Sequence, residues 1–404
     1  MSPSSDEQRD IHMVVVELHY HSDVIQNLLT ILSHARFRVT LLTVPEVLDR
    51  VYLPPAVYAN VTTRCKHGTQ TMREFIAQAR PVFASADLVY FNTVRAFWKD
   101  LSSATASTLS MVRVHNVHGD LAPIASFYRP MTRLPALASH LIRKSVIGNE
   151  YRDRAEFFRT VDYLMLPNEP ITEYVQSKGF VADQKIAAPV LPFGYLSEPR
   201  QHRSGSTRER VTIAITGQVT KKKKDYGLVR KAIERSLQKM DHPLRLVLLG
   251  RASDKQALQV VQSFRGLESP MFELVSYQSH VPAPEFEKQM AEVDFLLAPI
   301  HIETRYRQYQ EIYGKSKMSG LENDLLQARK PCLVTARYRV PEPMEGVVDY
   351  FEATPEGLSE ALIDWVNNQR YEALADNFDQ LSHYQPEKIA ARFYDVVQRL
   401  VTSG

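Results

Sequence analysis

Short, almost unbroken apolar blocks alternate along this chain with longer segments whose apolar residues recur every three or four positions. A strand buried on both faces produces the first pattern, and one face of an amphipathic helix produces the second. Residues 12–18 (His-Met-Val-Val-Val-Glu-Leu) predict a strand, and Ser22 and Asp23 follow as candidate N-caps. Val24, Leu28, Leu29, Ile31 and Leu32 then mark one face of a helix reaching about His34. Residues 37–44 predict a second strand. Such a strand–helix–strand unit pairs its strands in parallel through a right-handed crossover. The rhythm continues with strands near 88–91 and 112–115, a polar, basic helical stretch over 134–160, a strand at 161–166 and a helix at 171–179.

Residues 197–210 carry Ser, Glu, Arg, Gln, His, Thr, Gly and Pro with no aliphatic or aromatic residue between them, which predicts a linker. Beyond it the alternation restarts, with strands at 211–216, 244–249, 272–276, 294–298 and 331–335. Helices at 226–237, 254–264, 284–292 and 318–328 lie between them, and a helical tail runs to Val401. The expected fold is α/β: two doubly wound, Rossmann-like domains facing each other across a cleft. The domains are placed at 11–196 and 211–375, after a disordered tail at 1–10. A helical tail at 376–404 is a candidate to cross back to the first domain.

Composition narrows the class. The 404 residues fit two domains at about 150 residues each. A charge of +3, from 49 basic and 46 acidic residues, is too balanced for a protein that coats nucleic acid. The longest apolar runs fall well short of the roughly 20 residues of a membrane span. The polar start lacks a signal-peptide pattern, and Cys65 and Cys332 alone build no disulfide framework. A cytoplasmic protein is expected.

Ligands of doubly wound sheets sit at the carboxyl ends of the strands. The strand at 211–216 leads into Gly217, Gln218 and a run of four lysines that includes Lys223 and Lys224, just before a helix. Such a run is either a solvated charge patch or an anion site shared with the helix N-terminus. A second loop places Lys315 and Lys317 before Ser319 and Gly320 at the start of the 318–328 helix, with Asp324 further along. Its amides and lysines suit a phosphate, and Asp324 suits ribose hydroxyls. Two such loops in one domain favour a diphosphate.

The segment 293–299 (Val-Asp-Phe-Leu-Leu-Ala-Pro), then Lys317-x-Ser-Gly, Asp324 and Lys330-Pro331, resembles the C-terminal half of GT-B glycosyltransferases, nearest the retaining GT4-like group. The resemblance implies a loop at Gly217, Gln218, Lys223 and Lys224 that binds the donor diphosphate. It also implies a strand end at Gly250 and Arg251 beside the nucleotide, and a base-reading segment containing His280 and Val281. His115, in His115-Asn116-Val117-His118, resembles the histidine near donor sugar and acceptor, and Phe193-Gly194 resembles the hinge approach. The sequence departs from the pattern at Gln218, at Ser316, at Asp324, and at His19-Tyr20-His21-Ser22, where the family carries glycines.

His19, His21, His115 and His118 all follow strands and are expected at the cleft, the first, second and fourth near the acceptor. A histidine there could remove the proton of an acceptor hydroxyl. No compact metal motif occurs, so no metal and no cofactor beyond the sugar-nucleotide substrate is expected. Residues 304–313 pack three tyrosines into a loop that either shapes the sugar pocket or forms a polar lid. Residues 133–147 are apolar with interspersed basic residues, which fits a core helix or a peripheral contact with an anionic membrane.

The sequence therefore predicts a metal-independent glycosyltransferase moving a sugar from a nucleoside-diphosphate donor to a hydroxyl of a glycan, lipid-linked or small-molecule acceptor. His115, Lys223 and Lys317 are its expected catalytic residues. A sugar-nucleotide epimerase or hydrolase, or a non-catalytic nucleotide-sugar-binding protein, is the alternative.

Overall fold

A computed structural model describes residues 9–123, 149–199, 210–306 and 309–403. Its first sheet has seven parallel strands in the order β3-β2-β1-β4-β5-β6-β7. They are β1 (Ile11–Glu17), β2 (Phe37–Thr43), β3 (Val61–Cys65), β4 (Leu88–Thr93), β5 (Ser110–Arg113), β6 (Tyr163–Met165) and β7 (Ile186–Ala187). The second sheet, also parallel, has six strands in the order β10-β9-β8-β11-β14-β15. These are β8 (Val211–Thr216), β9 (Leu244–Arg251), β10 (Phe272–Tyr277), β11 (Phe295–Ala298), β14 (Cys332–Thr335) and β15 (Val348–Phe351).

The unbroken apolar strands are explained by burial on both faces. Val14 and Val16 of β1 enter one core while Ile11, Met13 and Val15 enter another. In the second domain, Val211, Ile213 and Ile215 of β8 face one core and Ala214 the other. Helices start where the sequence offers caps. The side chains of Asn168, Asp225 and Asp254 accept from the amides of Ile171, Leu228 and Ala257 at 3.1, 2.9 and 2.9 Å. The last helix, Pro386–Ser403, sends Ile389, Phe393, Tyr394 and Val397 into the same core as Ile11, Phe37 and Tyr90 of the first domain.

Three differences from the sequence reading matter. The tyrosine-rich segment is not simply a loop but an antiparallel hairpin, β12 (Glu303–Tyr306) with β13 (Tyr309–Ile312). Its strands are largely polar, so no apolar alternation announces them. β3, β7 and β15 were also unmarked: β3 is a half-exposed edge strand rich in threonine, and β7 has only two residues. The helix carrying Asp324 is Leu321–Ala328, which leaves Ser319 and Gly320 in the loop ahead of it. The 133–147 stretch and most of the linker lie outside the described residues; of the 134–160 stretch, Glu150–Thr160 is helical.

Candidate functional site in the interdomain cleft

The carboxyl ends of both sheets meet. On the second domain, Gly217 takes φ +81° directly after β8, a backbone region that favours glycine. At the end of β9 the chain passes so close that a Cβ on Gly250 would lie 2.2 Å from the Gly217 carbonyl oxygen. The Gly217 and Val219 amides donate to the carbonyls of Leu249 and Arg251 at 3.0 and 3.1 Å, fixing the loop on the sheet edge.

Within that loop the lysines separate. Lys224 turns back to donate to the Thr216 carbonyl. Burial lowers its ammonium to about 8, while the Asp324 carboxylate pulls it back up. Asp324 is in turn raised by burial to about 6, against a hydrogen bond from Thr216 and the charge of Lys224. Lys223 is exposed. It acts electrostatically on Lys317 and on His21, so it lies within range of both across the domain junction.

Lys317 sits at the domain junction. Its ammonium donates to the side-chain oxygen of Asn116 and lies 5.3 and 5.9 Å from the ring centroids of Tyr306 and Tyr313. Burial lowers it to about 8, with Glu311 opposing. The Ser319 amide donates to the Tyr338 hydroxyl at 3.2 Å, so it is not the open amide that the sequence suggested. Gly320 faces open space.

On the first domain, His21 occupies a left-handed position (φ 80°) at the head of the Ser22–Leu32 helix, with no side-chain cap. Its ring stacks on His115 at 4.6 Å and 11°, and Phe193 lies 4.9 Å beyond His115. His115 Nε2 is 2.7 Å from the Asn92 carbonyl. A carbonyl only accepts, so Nε2 carries the proton and Nδ1 is the basic nitrogen. Burial pushes His115 well below its ordinary value, with His21 and Arg113 adding to the effect. Burial, then Lys317, Arg95, Lys223 and Arg113, lower His21 to about 4. Both rings are therefore neutral at pH 7.

His19 and His118 do other work. His19 Nε2 accepts from the Arg95 amide at 3.1 Å, which ties the β1 loop to the β4 loop. His118 donates from Nδ1 to the Gln310 carbonyl at 2.5 Å and accepts at Nε2 from the Tyr174 hydroxyl at 2.8 Å. Both of its ring nitrogens are thus spent, one on the hairpin and one on Tyr174 of the first-domain helix Glu169–Lys178. His280 and Arg251 are exposed side chains on the same sheet edge, and Val281 is buried in the core.

Several residues at the site escaped sequence reasoning. Glu311 of β13 is fully buried and accepts from the Gly119 amide at 2.7 Å and the Ser316 hydroxyl at 2.6 Å. Burial raises it to about 7. Glu17 is also buried and accepts from the His19 and Tyr20 amides and from Asn92 at 2.9, 3.1 and 2.7 Å. Arg95 follows the carboxyl end of β4, a place the strand-end rule would have singled out. Glu311, in a polar hairpin, left no such signal. Among the described residues no three His, Cys, Asp or Glu side chains are grouped to hold a metal ion.

Two Rossmann-like domains facing each other in this way define the GT-B fold. No family model matches the chain, and no curated protein matches it by sequence. Solved structures do. Anabaena HepE in complex with UDP is 12% identical over 96% of this chain and 100% of its own, with a TM-score of 0.61. The pneumococcal O-GlcNAc transferase GtfA, in complex with UDP and GlcNAc, is 8% identical over 98% and 100%, with a TM-score of 0.60. A UDP-N-acetylglucosamine 2-epimerase is 12% identical over 98% and 97%, with a TM-score of 0.50.

Proposed function

We propose that this protein transfers a sugar from a nucleoside-diphosphate donor, UDP-linked as the first choice, to an acceptor hydroxyl. The observation that carries the reading is the placement of Lys317. A part-buried ammonium at the domain junction donates to a neutral amide and lies within reach of the charge of the exposed Lys223. A buried cation is costly unless an anion answers it. Glu311 and Asp120 offset part of that cost in the resting protein, and the leaving diphosphate would add negative charge beside Lys317 and Lys223 as the anomeric C–O bond breaks.

In this mechanism Lys317 and Lys223 stabilise charge developing on the diphosphate, and Gly320 lets its backbone approach. One preorganised donor of this kind is worth roughly 3 kcal/mol of barrier. Lysine charge would take the part that a divalent metal plays elsewhere. The Gly217–Gly250 crossing forms the floor under the nucleotide, and Asp324 is the candidate partner of the ribose. Neutral His115 can receive a proton or hydrogen bond from a sugar hydroxyl at Nδ1. Retention of anomeric configuration rests on the resemblance of the 293–331 segment to the GT4-like group, and NMR of the product anomer tests it.

The decisive test is a melting-temperature panel of UDP-, GDP-, ADP- and dTDP-sugars. A ligand at 100 times its dissociation constant stabilises by about 2.7 kcal/mol. One of the four should shift the transition, and that shift should disappear in Lys317→Ala. A panel without any shift rejects the donor assignment. The likeness to an epimerase over nearly the full chain favours a second reading, turnover of the donor itself. Donor consumption without any acceptor would select it.

A further inference from the structure

Lys317 reaches across the domain junction to donate to the Asn116 side chain. Both ends of that bond are tied to one carboxylate, the fully buried Glu311 of β13. On the lysine's side, Glu311 Oε2 accepts from the hydroxyl of Ser316, the residue just before Lys317, at 2.6 Å. On the other side, Oε1 accepts from the Gly119 amide at 2.7 Å and Oε2 from the His118 amide at 3.4 Å. Those amides belong to the short helix Val117–Leu121, which begins right after Asn116.

The segment between Glu311 and Lys317 has little freedom of its own. The Ser316 hydroxyl accepts from the Ile312 amide at 2.8 Å, and the Ser316 carbonyl accepts from the Val117 amide at 2.8 Å. Gly314 takes φ +76° in this turn, and a Cβ there would lie 2.5 Å from the Arg339 amide nitrogen. A carboxylate taken out of water is costly, and neutral side chains could close the same seam without that cost. What the carboxylate adds is negative charge close to Lys317.

The charges at this point come from several elements. Burial lowers the Lys317 ammonium; Glu311 on the hairpin and Asp120 on the short helix oppose it, while Lys223 and Arg95 add to it. Burial raises Glu311; the Ser316 and Gly119 bonds and the charge of Lys317 oppose that rise, and Asp120 adds to it. His118 Nδ1 stands 3.8 Å from Glu311 Oε2.

We propose that Glu311 is a positioning residue for the transfer: by pinning Ser316 and the Gly119 amide together, it fixes where the Lys317 ammonium meets the leaving diphosphate. It touches neither substrate. The inference rests on the glycosyl-transfer reading above, and it assigns a role to a residue that reading does not use.

The experiment uses the full chain. Calorimetry with UDP comes first and tests the donor reading alone. Lysine carbon-13 NMR then follows the titration of Lys317, its signal assigned by its loss in Lys317→Ala. Glu311→Gln keeps an oxygen for the Gly119 amide and an amide for the Ser316 hydroxyl, and it removes the charge. In that variant the Lys317 titration, and the alkaline limb of kcat/KM with it, should move down by about one pH unit. Ser316→Ala cuts the tie on the lysine's side. There kcat should fall about tenfold or more while the donor KM changes little, because the misplaced ammonium matters in the transition state. A Lys317 titration that does not move in Glu311→Gln overturns the proposal. A Ser316→Ala protein that melts lower yet keeps kcat within about twofold overturns it too, since the contact would then be structural alone. If UDP does not bind while the Lys317 titration still moves, the donor reading falls and the hold of Glu311 on Lys317 stands.

Discussion

At the carboxyl edge of the first sheet, burial holds Glu17, His21 and His115 towards their uncharged forms, each inside a closed set of hydrogen bonds or ring contacts. At the facing edge of the second sheet stand Lys223, Lys224 and Lys317, beside the Gly217–Gly250 crossing, with Lys224 held by the Thr216 carbonyl and Lys317 by the Asn116 side chain. The same fold element, a strand end leading into a helix, has been built once as a packed neutral wall and once as a cationic floor. The difference shows how a two-domain cleft divides labour. The cationic side can hold an anion, and the neutral His21–His115 stack can pack against a sugar ring without adding charge of its own beside the breaking bond.

The largest effect should come from breaking the cationic side. Lys317→Ala should lower kcat for transfer by a factor of about 100 to 1,000, the usual loss for one preorganised donor. The melting temperature should stay close to that of the parent, since the Lys317 side chain makes one hydrogen bond and two ring contacts. Turnover within twofold of the parent would show that the floor is not where charge develops. Next comes Gly250→Ala. The added methyl would meet the carbonyl carbon and oxygen of Gly217 at 2.4 and 2.2 Å, and backbone cannot rotate away as a side chain can. A loss of roughly 1–3 kcal/mol in denaturant unfolding is expected, with weaker UDP binding. An unchanged midpoint would mean that the two loops are not locked together.

The cationic side was far more legible in the sequence than the neutral one. Gly217, Gly250 and the lysine run are local signals, each readable from a strand end and the residues right after it. The neutral wall depends on distant pairings, such as Asn92 with Glu17 and His115 with Asn92, which no local pattern encodes. His118 shows the same limit. Its strand-end position is correctly read, but its ring is claimed by Gln310 and Tyr174, residues 192 and 56 positions away. The two-sheet architecture was legible because strands buried on both faces must be continuously apolar. The β12–β13 hairpin was not, because its polar strands are held by tertiary contacts such as Arg154 donating to the Tyr309 hydroxyl at 2.7 Å.

The helix Leu321–Ala328 joins the two sides and offers a smaller test. Asp324 faces the lysines, whereas Glu322 is buried against Asn168 of the first domain and accepts from the Tyr338 hydroxyl at 2.7 Å. Burial raises Glu322 from 4.5 to about 8. The unfolded chain releases this proton near 4.5 and the folded protein keeps it to about 8, so the stabilisation from Glu322 is complete below the first value. It is lost as the pH rises through the second. Glu322→Gln keeps an acceptor for Tyr338 and removes the titration. The variant should melt with the parent at pH 5 and a few degrees above it at pH 8.5. A gap that does not change with pH would place an ordinary, solvated carboxylate at the junction.

The finest comparison is a single pH profile of kcat/KM. Lys317 and Lys224 are lowered to about 8, so the cationic floor should lose charge, and the rate should fall, as the pH passes that value. His21 is lowered to about 4, so protonation of the neutral wall begins only well below the ordinary histidine range. The histidine stack should therefore add no limb near 6.5, and the alkaline side should fall near 8. Any inflection between about 6 and 7 should belong to Asp324 and Glu311, which burial raises to about 6 and about 7. Imidazole NMR showing His21 titrating near 6.5 would mean that water reaches the histidine stack, and the distinction between a sealed wall and a charged floor would be lost. In Lys317→Ala, removing the largest of the four cationic influences should move the titration of His21 upward, and NMR of the imidazole would read that shift directly.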